Sequence, residues 1–170
     1  MNRRQTQAAG FTLVEMLAVI LVIAILVSVV VGVAGIVIRR AAEAETKLAM
    51  EVIRTAIDVY YEVNANFPGE VTNFGSPPAG WSQRNWEACK RGGALYGALM
   101  SCEPAKQRLA ALKSDAIKSV YSGNTAFVDG FGKYMDYFKT AGAGGKPLVL
   151  SAGGDGDFNT VEDNVRSDKL

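Results

Sequence analysis

The chain has no histidine anywhere in its 170 residues. That removes Ser-His-Asp and Cys-His catalysis and the common His-containing zinc sites at a stroke. It also has no nucleophile motif and no glycine-rich phosphate loop, so the expectation is a non-enzyme. Paired carboxylates are able to hydrolyse glycosides, but no cleft-lining pair is recognisable here. Charge of one sign is missing too, with 18 Lys+Arg against 17 Asp+Glu. Such a balance offers no electrostatic reason to expect nucleic acid as a partner.

The most telling absence is local. Between Thr12 and Ile38 the only ionisable residue is Glu15, with Arg3 and Arg4 before the stretch and Arg39 and Arg40 closing it. Taking Arg3 and Arg4 from the 18 bases and Glu15 from the 17 acids leaves 16 of each beyond Ile38. Phe11 to Ile38 is dominated by Val, Ile, Leu and Ala. About 20 such residues, at 1.5 Å rise each, cross a hydrocarbon core of roughly 30 Å. The stretch reads as a membrane helix, and Gly32 and Gly35 are tolerable within one.

What precedes that helix is short and polar, from Met1 to Ala9, followed by Gly10. A secretory signal places its cleavage site after the apolar run. Here the removable segment ends before it, so the helix stays in the mature protein. The segment Gly10-Phe11-Thr12-Leu13-Val14-Glu15-Met16-Leu17 resembles the leader junction of type IV prepilins and type II secretion pseudopilins. The resemblance covers about the first 30 residues. It implies cleavage by a prepilin peptidase between Gly10 and Phe11, N-methylation of Phe11, and polymerisation of the chain with itself. It also implies that Glu15 pairs with the freed amine of Phe11 on a neighbouring subunit and so sets register. An ion pair in a low-dielectric setting is worthwhile only when both partners arrive together.

Beyond Arg40, Ala49, Val52, Ile53, Ala56, Ile57, Tyr60 and Val63 recur at three- and four-residue intervals, which predicts an amphipathic helix. It ends at Asn66-Phe67-Pro68-Gly69, because Pro68 disfavours helical geometry at the residue before it. Two shorter helices are expected next, one capped by Asn85 and leading to Cys89, the other around Leu95 to Met100. A further helix is expected from Pro104 to about Val120. Trp81 and Trp86 read as packing residues against the long helix. Tyr134 to Phe138 and Pro147 to Ser151 read as two strands around the Gly-rich run Ala141–Gly145. The expected fold is α+β: a long N-terminal helix packed on a small head with short helices and a C-terminal antiparallel sheet. The corresponding segments are a leader (1–10), a membrane or filament-core helix (11–38), its amphipathic half (39–66), a variable head region with the cysteine pair (67–128), and a sheet with an acidic loop (129–170).

Cys89 and Cys102 are the only cysteines. A head folding outside the cytoplasm favours their pairing, worth about 3 kcal/mol for a loop of that length; two reduced core thiols are the alternative.

The last loop is acidic, with Asp155, Asp157, Glu162, Asp163 and Asp168 between Gly153 and Lys169, against Arg166 alone. Clustered carboxylates on a Gly-rich loop suit calcium, which takes six to eight oxygens. The spacing is not that of an EF-hand. The expected ligands are the side chains of Asp155 and Asp163, with Asp157 or Glu162 third and the backbone carbonyl of Leu150 as a further donor. Ser151, Gly153, Asp155 and Gly156, with the later pair Glu162-Asp163, are similar to the calcium loop of major pseudopilins. Asp129-Gly130-Phe131-Gly132-Lys133-Tyr134 is loosely similar to a turn of the same family, in which Pro and Trp stand where Gly130 and Phe131 stand here.

These resemblances imply the major pseudopilin of a type II secretion system, a filament subunit that drives protein export. Its partners would be prepilin peptidase, an inner-membrane assembly platform, minor pseudopilins and, before assembly, membrane lipid. The location implied is the bacterial inner membrane, single-pass, with a cytoplasmic N-terminus and an extracytoplasmic head. A surface type IV pilin for adhesion, twitching or DNA uptake is the alternative, and a membrane-tethered extracytoplasmic enzyme a more distant one.

Overall fold

The computed structural model describes residues 11–120 and 125–170. Helix α1 spans Leu13–Asn64, α2 Gln83–Ser101 and α3 Glu103–Leu109. Five short strands follow: β1 Ile117–Ser119, β2 Thr125–Phe127, β3 Asp136–Phe138, β4 Leu148–Ser151 and β5 Val165–Arg166. They form two antiparallel sheets, β1-β2 and β3-β4-β5. The layout is the α+β, pilin-like one expected. By its contacts the chain divides into two compact units, residues 1–38 and Arg39–Leu170.

In the first unit every described residue is exposed, because an all-round apolar helix has no polar face to give to water and no second layer to bury against. In the second unit, the head, the helix turns amphipathic. Ala42, Thr46, Ala49, Met50, Ile53, Ala56 and Ile57 are buried, at the three- and four-residue spacing of one helical face. They meet Leu95 and Leu99 of α2, Ala105 and Leu109 of α3, and Phe127, Met135, Tyr137, Val149 and Val165 from the strand region. The predicted stripe holds at Ala49, Ile53, Ala56 and Ile57, whereas Val63 is exposed. Helix α1 stops two residues earlier than expected. Ala65 takes a left-handed conformation at φ 53° and closes the end by donating to the Tyr61 carbonyl at 2.8 Å.

The head's middle region departs from expectation in three ways. The residues expected to make two short helices form one, α2, capped by Ser82 rather than Asn85; the Ser82 side chain accepts from the Asn85 N–H at 3.2 Å. The helix expected from Pro104 to Val120 is only seven residues long. Its would-be second half is spent in strand β1, where Ile117 pairs opposite Phe127, so that tertiary pairing overrides helical periodicity. Trp81 packs edge-on against Trp86 and stacks on the Tyr134 ring at 5.4 Å. Trp86 also donates its indole N–H to the Phe74 carbonyl at 2.8 Å.

Candidate functional site

The N-terminal site begins at an exposed Phe11; Gly10, the other half of the expected cleavage site, lies outside the described residues. Thr12 precedes the first helical residue, Leu13, and Glu15 stands three places after Thr12. The Glu15 Oε2 accepts from both the backbone N–H and the hydroxyl of Thr12, each at 2.8 Å. The Thr12 Oγ1 in turn accepts from the Glu15 N–H at 3.3 Å. This is a reciprocal capping box, which satisfies two of the otherwise orphaned donors at a helix start. The sequence pointed to Gly10, Phe11 and Glu15 but not to Thr12. The signal that would have found Thr12 is the T-x-x-E spacing ahead of an apolar run.

The C-terminal site is built on the turn between β2 and β3. Asp129 is buried, and its Oδ1 accepts from the N–H groups of Phe131 and Lys133 at 2.9 and 2.8 Å. Its Oδ2 accepts from the Ser151 hydroxyl at 2.6 Å. Burial pushes the Asp129 carboxyl above the ordinary range, against the pull of those three bonds. The turn is pinned to the long helix by Thr46, whose hydroxyl donates to the Ala42 carbonyl at 2.8 Å and accepts from the Gly130 N–H at 3.0 Å. A Cβ on Gly130 would fall on the Ala42 backbone. Glycine is needed there for close approach.

Ser151 links this turn to the acidic loop, its hydroxyl also accepting from the Gly153 N–H at 3.0 Å. The loop is closed largely by its own bonds. Asp155 Oδ1 accepts from the Asp157 N–H at 2.8 Å, and Oδ2 from the Thr160 hydroxyl at 2.5 Å. The Thr160 bond, with the Asp157 N–H second, holds the Asp155 carboxyl below its usual range. Asp157 Oδ1 accepts from the backbone and side-chain nitrogens of Asn159 at 3.0 and 2.8 Å. Gly153, at φ +67°, lies so close to Asp163 that a Cβ would strike its carbonyl and carboxylate. Asp163 Oδ2 accepts from the Asp155 N–H at 3.3 Å and lies 3.7 Å from the Arg39 guanidinium.

Measured against calcium, the expected carboxylates share one loop but do not converge. Among the described residues no three acidic, histidine or cysteine side chains gather closely enough to hold a metal ion. Glu162 is exposed. Leu150 sits in the central strand β4 opposite both Asp136 and Arg166, where a carbonyl points at a neighbouring strand. Two acceptors are left over: Asp163 Oδ1 and Asn164 Oδ1 are buried and have no hydrogen-bond partner. Asn164 was not among the expected ligands, since an uncharged amide adds nothing to a charge pattern.

The cysteine expectation is corrected. Cys89 and Cys102 are both buried free thiols. Cys89 lies within α2 and Cys102 caps its end. Thirteen residues of helix separate them by about 20 Å, far beyond the roughly 7 Å limit for a disulfide. Burial pushes the Cys89 thiol up to about 11, which keeps it protonated and unreactive.

Sequence reasoning also missed an ion pair inside the head. Arg91, on α2, donates its Nε and Nη2 to the two carboxylate oxygens of Asp136, on β3, at 2.6 and 2.7 Å. Arg84 adds a contact to Asp136 at 2.9 Å. The Arg91 guanidinium is also sandwiched near the rings of Phe74 and Phe138, at 4.8 and 4.7 Å. Forty-five residues separate the pair in sequence, so no local pattern announces it.

Residues 6–31 match the family model of the prokaryotic N-terminal methylation motif. With that match the chain is type IV pilin-like at its N-terminus. The motif covers the Gly10–Phe11 junction, Thr12 and Glu15, and most of the apolar helix. It points to a structural pilin-type subunit that is processed by prepilin peptidase and assembled into a filament. It also fits a single-pass, membrane-anchored chain, in keeping with one helix, among the described residues, long and apolar enough to cross a bilayer. No curated protein and no solved structure matches the chain.

Proposed function

We propose that this chain is the major pseudopilin of a type II protein secretion system. It would be held in the inner membrane with its N-terminus cytoplasmic and its head extracytoplasmic, then polymerised through the apolar helix. The observation that carries the reading is the methylation motif at residues 6–31 opening a fully exposed apolar helix. Such a surface is stable only in lipid or against like helices. Support for a pseudopilin over a surface pilin comes from the Asp129 turn, tied through Ser151 to the acidic loop.

In this reading Glu15 sets register by pairing with the Phe11 amine of a neighbour. The capping box allows its charge to be tested apart from its hydrogen bonds. Glu15→Gln keeps a capping side chain but loses the charge, and Glu15→Ala loses both. Both variants are expected to insert in the membrane at normal levels and to form no filaments. Thr12→Val removes the cap, costing about 1 kcal/mol of helix start, and is expected to retain assembly. Filament yield from Glu15→Gln equal to wild type would overturn the pairing. Long fibres on the cell surface, in place of short ones tied to export, would favour the surface pilin.

The acidic loop enters the reading as a calcium site centred on Asp163 and Asn164, whose buried oxygens lack donors. A bound calcium would supply positive charge to those oxygens and order the loop. The head is expected to melt higher in calcium than in chelator. Equal midpoints, with Asp163→Asn melting alike in both, would remove calcium from the reading.

A further inference from the structure

The outer face of the head's helix carries charge in a regular order. Arg40, Lys47, Glu51, Arg54 and Asp58 are all exposed. Their spacings of seven, four, three and four residues keep them on one stripe of the helix. The stripe lies away from the buried face that runs from Ala42 to Ile57. From Lys47 to Asp58 its sign alternates base, acid, base, acid.

These charges are not spent inside the chain. Lys47 and Glu51 stand four residues apart, as do Arg54 and Asp58 and, earlier, Arg39 and Glu43. Only Arg39 reaches its acid, at 3.2 Å. Among the described residues Lys47, Glu51, Arg54 and Asp58 enter no ion pair. Nor does the order suit a purely local purpose, because acid before base stabilises a single helix better than base before acid. What the order does suit is a neighbour. Two parallel copies in register oppose like charges at every position of the stripe. A displacement of seven residues does the same, setting Lys47 against Arg54 and Glu51 against Asp58. A displacement of four sets Lys47 against Glu51 and Arg54 against Asp58, with Asp58 against Glu62 the one like-charged meeting.

We propose that this stripe packs along the stripe of a second copy of the chain, parallel to it and displaced by four residues, about 6 Å. Lys47 of one copy then meets Glu51 of the next, and Arg54 meets Asp58. The head covers the other side of the helix, so copies gathered through their helices turn this face to one another. Four residues is also the offset between the Phe11 amine and Glu15, whose pairing between neighbours is proposed above, so one displacement serves both. Because each copy is displaced along the last, the contact repeats with an axial step instead of closing into a dimer. Exposed ion pairs contribute little by themselves. The contact therefore rests on the filament reading: it selects the register of helices already gathered by their apolar halves.

The test uses the full chain, expressed with a prepilin peptidase and assembly platform that yield filaments. Expressed singly, Lys47→Glu and Glu51→Lys are each expected to lower filament yield about tenfold. Co-expressed, the two are expected to return it to within about twofold of wild type, because position 47 of each chain then meets an opposite charge at position 51 of the other. Pairing within one helix predicts no such rescue, since each variant carries like charges at 47 and 51. Unchanged yield in the single variants, or no rescue in the mixture, overturns the contact. A chain whose wild type makes no filaments overturns the filament reading itself, and the contact with it. As a second measurement, filaments containing Lys47→Cys and Glu51→Cys chains together are oxidised, the native thiols being buried. Covalent heterodimers joining 47 to 51 are expected. Filaments that stay monomeric, or that link only 47 to 47, overturn the four-residue displacement.

Discussion

Asp136→Asn is the substitution to which the head should be most sensitive. Asp136 is fully buried and Arg91 is only 5% exposed. Asp136 holds both Arg91 bonds, the Arg84 contact and the Tyr137 N–H at 2.8 Å. Replacing the carboxylate with an amide leaves the Arg91 guanidinium only the looser contact to Glu87, at 3.7 Å, and sets an NH2 group against it. Breaking a buried pair from one side costs about 3–5 kcal/mol, a large share of the 5–15 kcal/mol typical of a whole domain. The head has 132 residues, the 170 less the first 38. For that size the loss corresponds to a fall in Tm of roughly 10–18 °C. The assay is near-ultraviolet circular dichroism of the full chain in detergent micelles, which follows the head's aromatic packing on heating. The apolar pair Arg91→Met with Asp136→Leu is expected to recover much of the loss, because neither charge is then stranded. A drop of under about 3 °C for Asp136→Asn would refute the reasoning, since it would mean that Glu87 alone suffices to neutralise Arg91.

Three further outcomes follow from the geometry. Alkylation of the denatured chain without reductant should add two groups by intact mass, since both thiols are free; two unmodified cysteines would mean a disulfide and a different α2. In the native state Cys89 should alkylate far more slowly than in denaturant, as burial holds its thiol at about 11. Asp168 is held down to about 2, first by its bonds from Arg166 at 2.9 and 2.8 Å. Because this folded value is depressed, its stabilisation is whole above the ordinary carboxylate range near about 4 and is lost as pH falls toward about 2. Asp168→Asn should flatten that part of an acid-unfolding curve while leaving the neutral-to-alkaline part alone, and an unchanged acid limb would refute the assignment.

The first 38 residues were legible in sequence because their physics is local. An uninterrupted apolar run, a single Glu15 and a short polar leader each carry their meaning without reference to the rest of the chain. The head's helix was legible for the same reason, through the period of Ala49, Ile53, Ala56 and Ile57. Strand β1 was not, because Ile117 lies on a helical stripe with Leu109 and Leu112 and becomes a strand only through pairing with Phe127. The cysteine spacing misled, because a loop and a helix of equal length look alike in residue count but differ in reach. In the acidic loop, composition showed where the carboxylates lie but not which backbone donors would occupy them. Asp155 and Asp157 are taken up by turns two and five residues away, and the oxygens left over belong to Asp163 and Asn164.

The capping box bears on how one carboxylate serves both membrane and filament. A lone Glu inside an apolar helix costs about 2.5–3.5 kcal/mol near the bilayer centre and less toward the interface. Here its oxygen already accepts two bonds from Thr12, so the inserted subunit does not carry a bare charge while it waits to assemble. A cap of this kind is worth only about 1 kcal/mol. In the proposed filament the Phe11 amine of a neighbour would offer Glu15 a full opposite charge, several times more valuable at low dielectric. The weak local partner thus protects the charge without competing seriously for it. This is why Thr12→Val and Glu15→Gln should part company: the first disturbs only the waiting state, and the second removes what the filament would use.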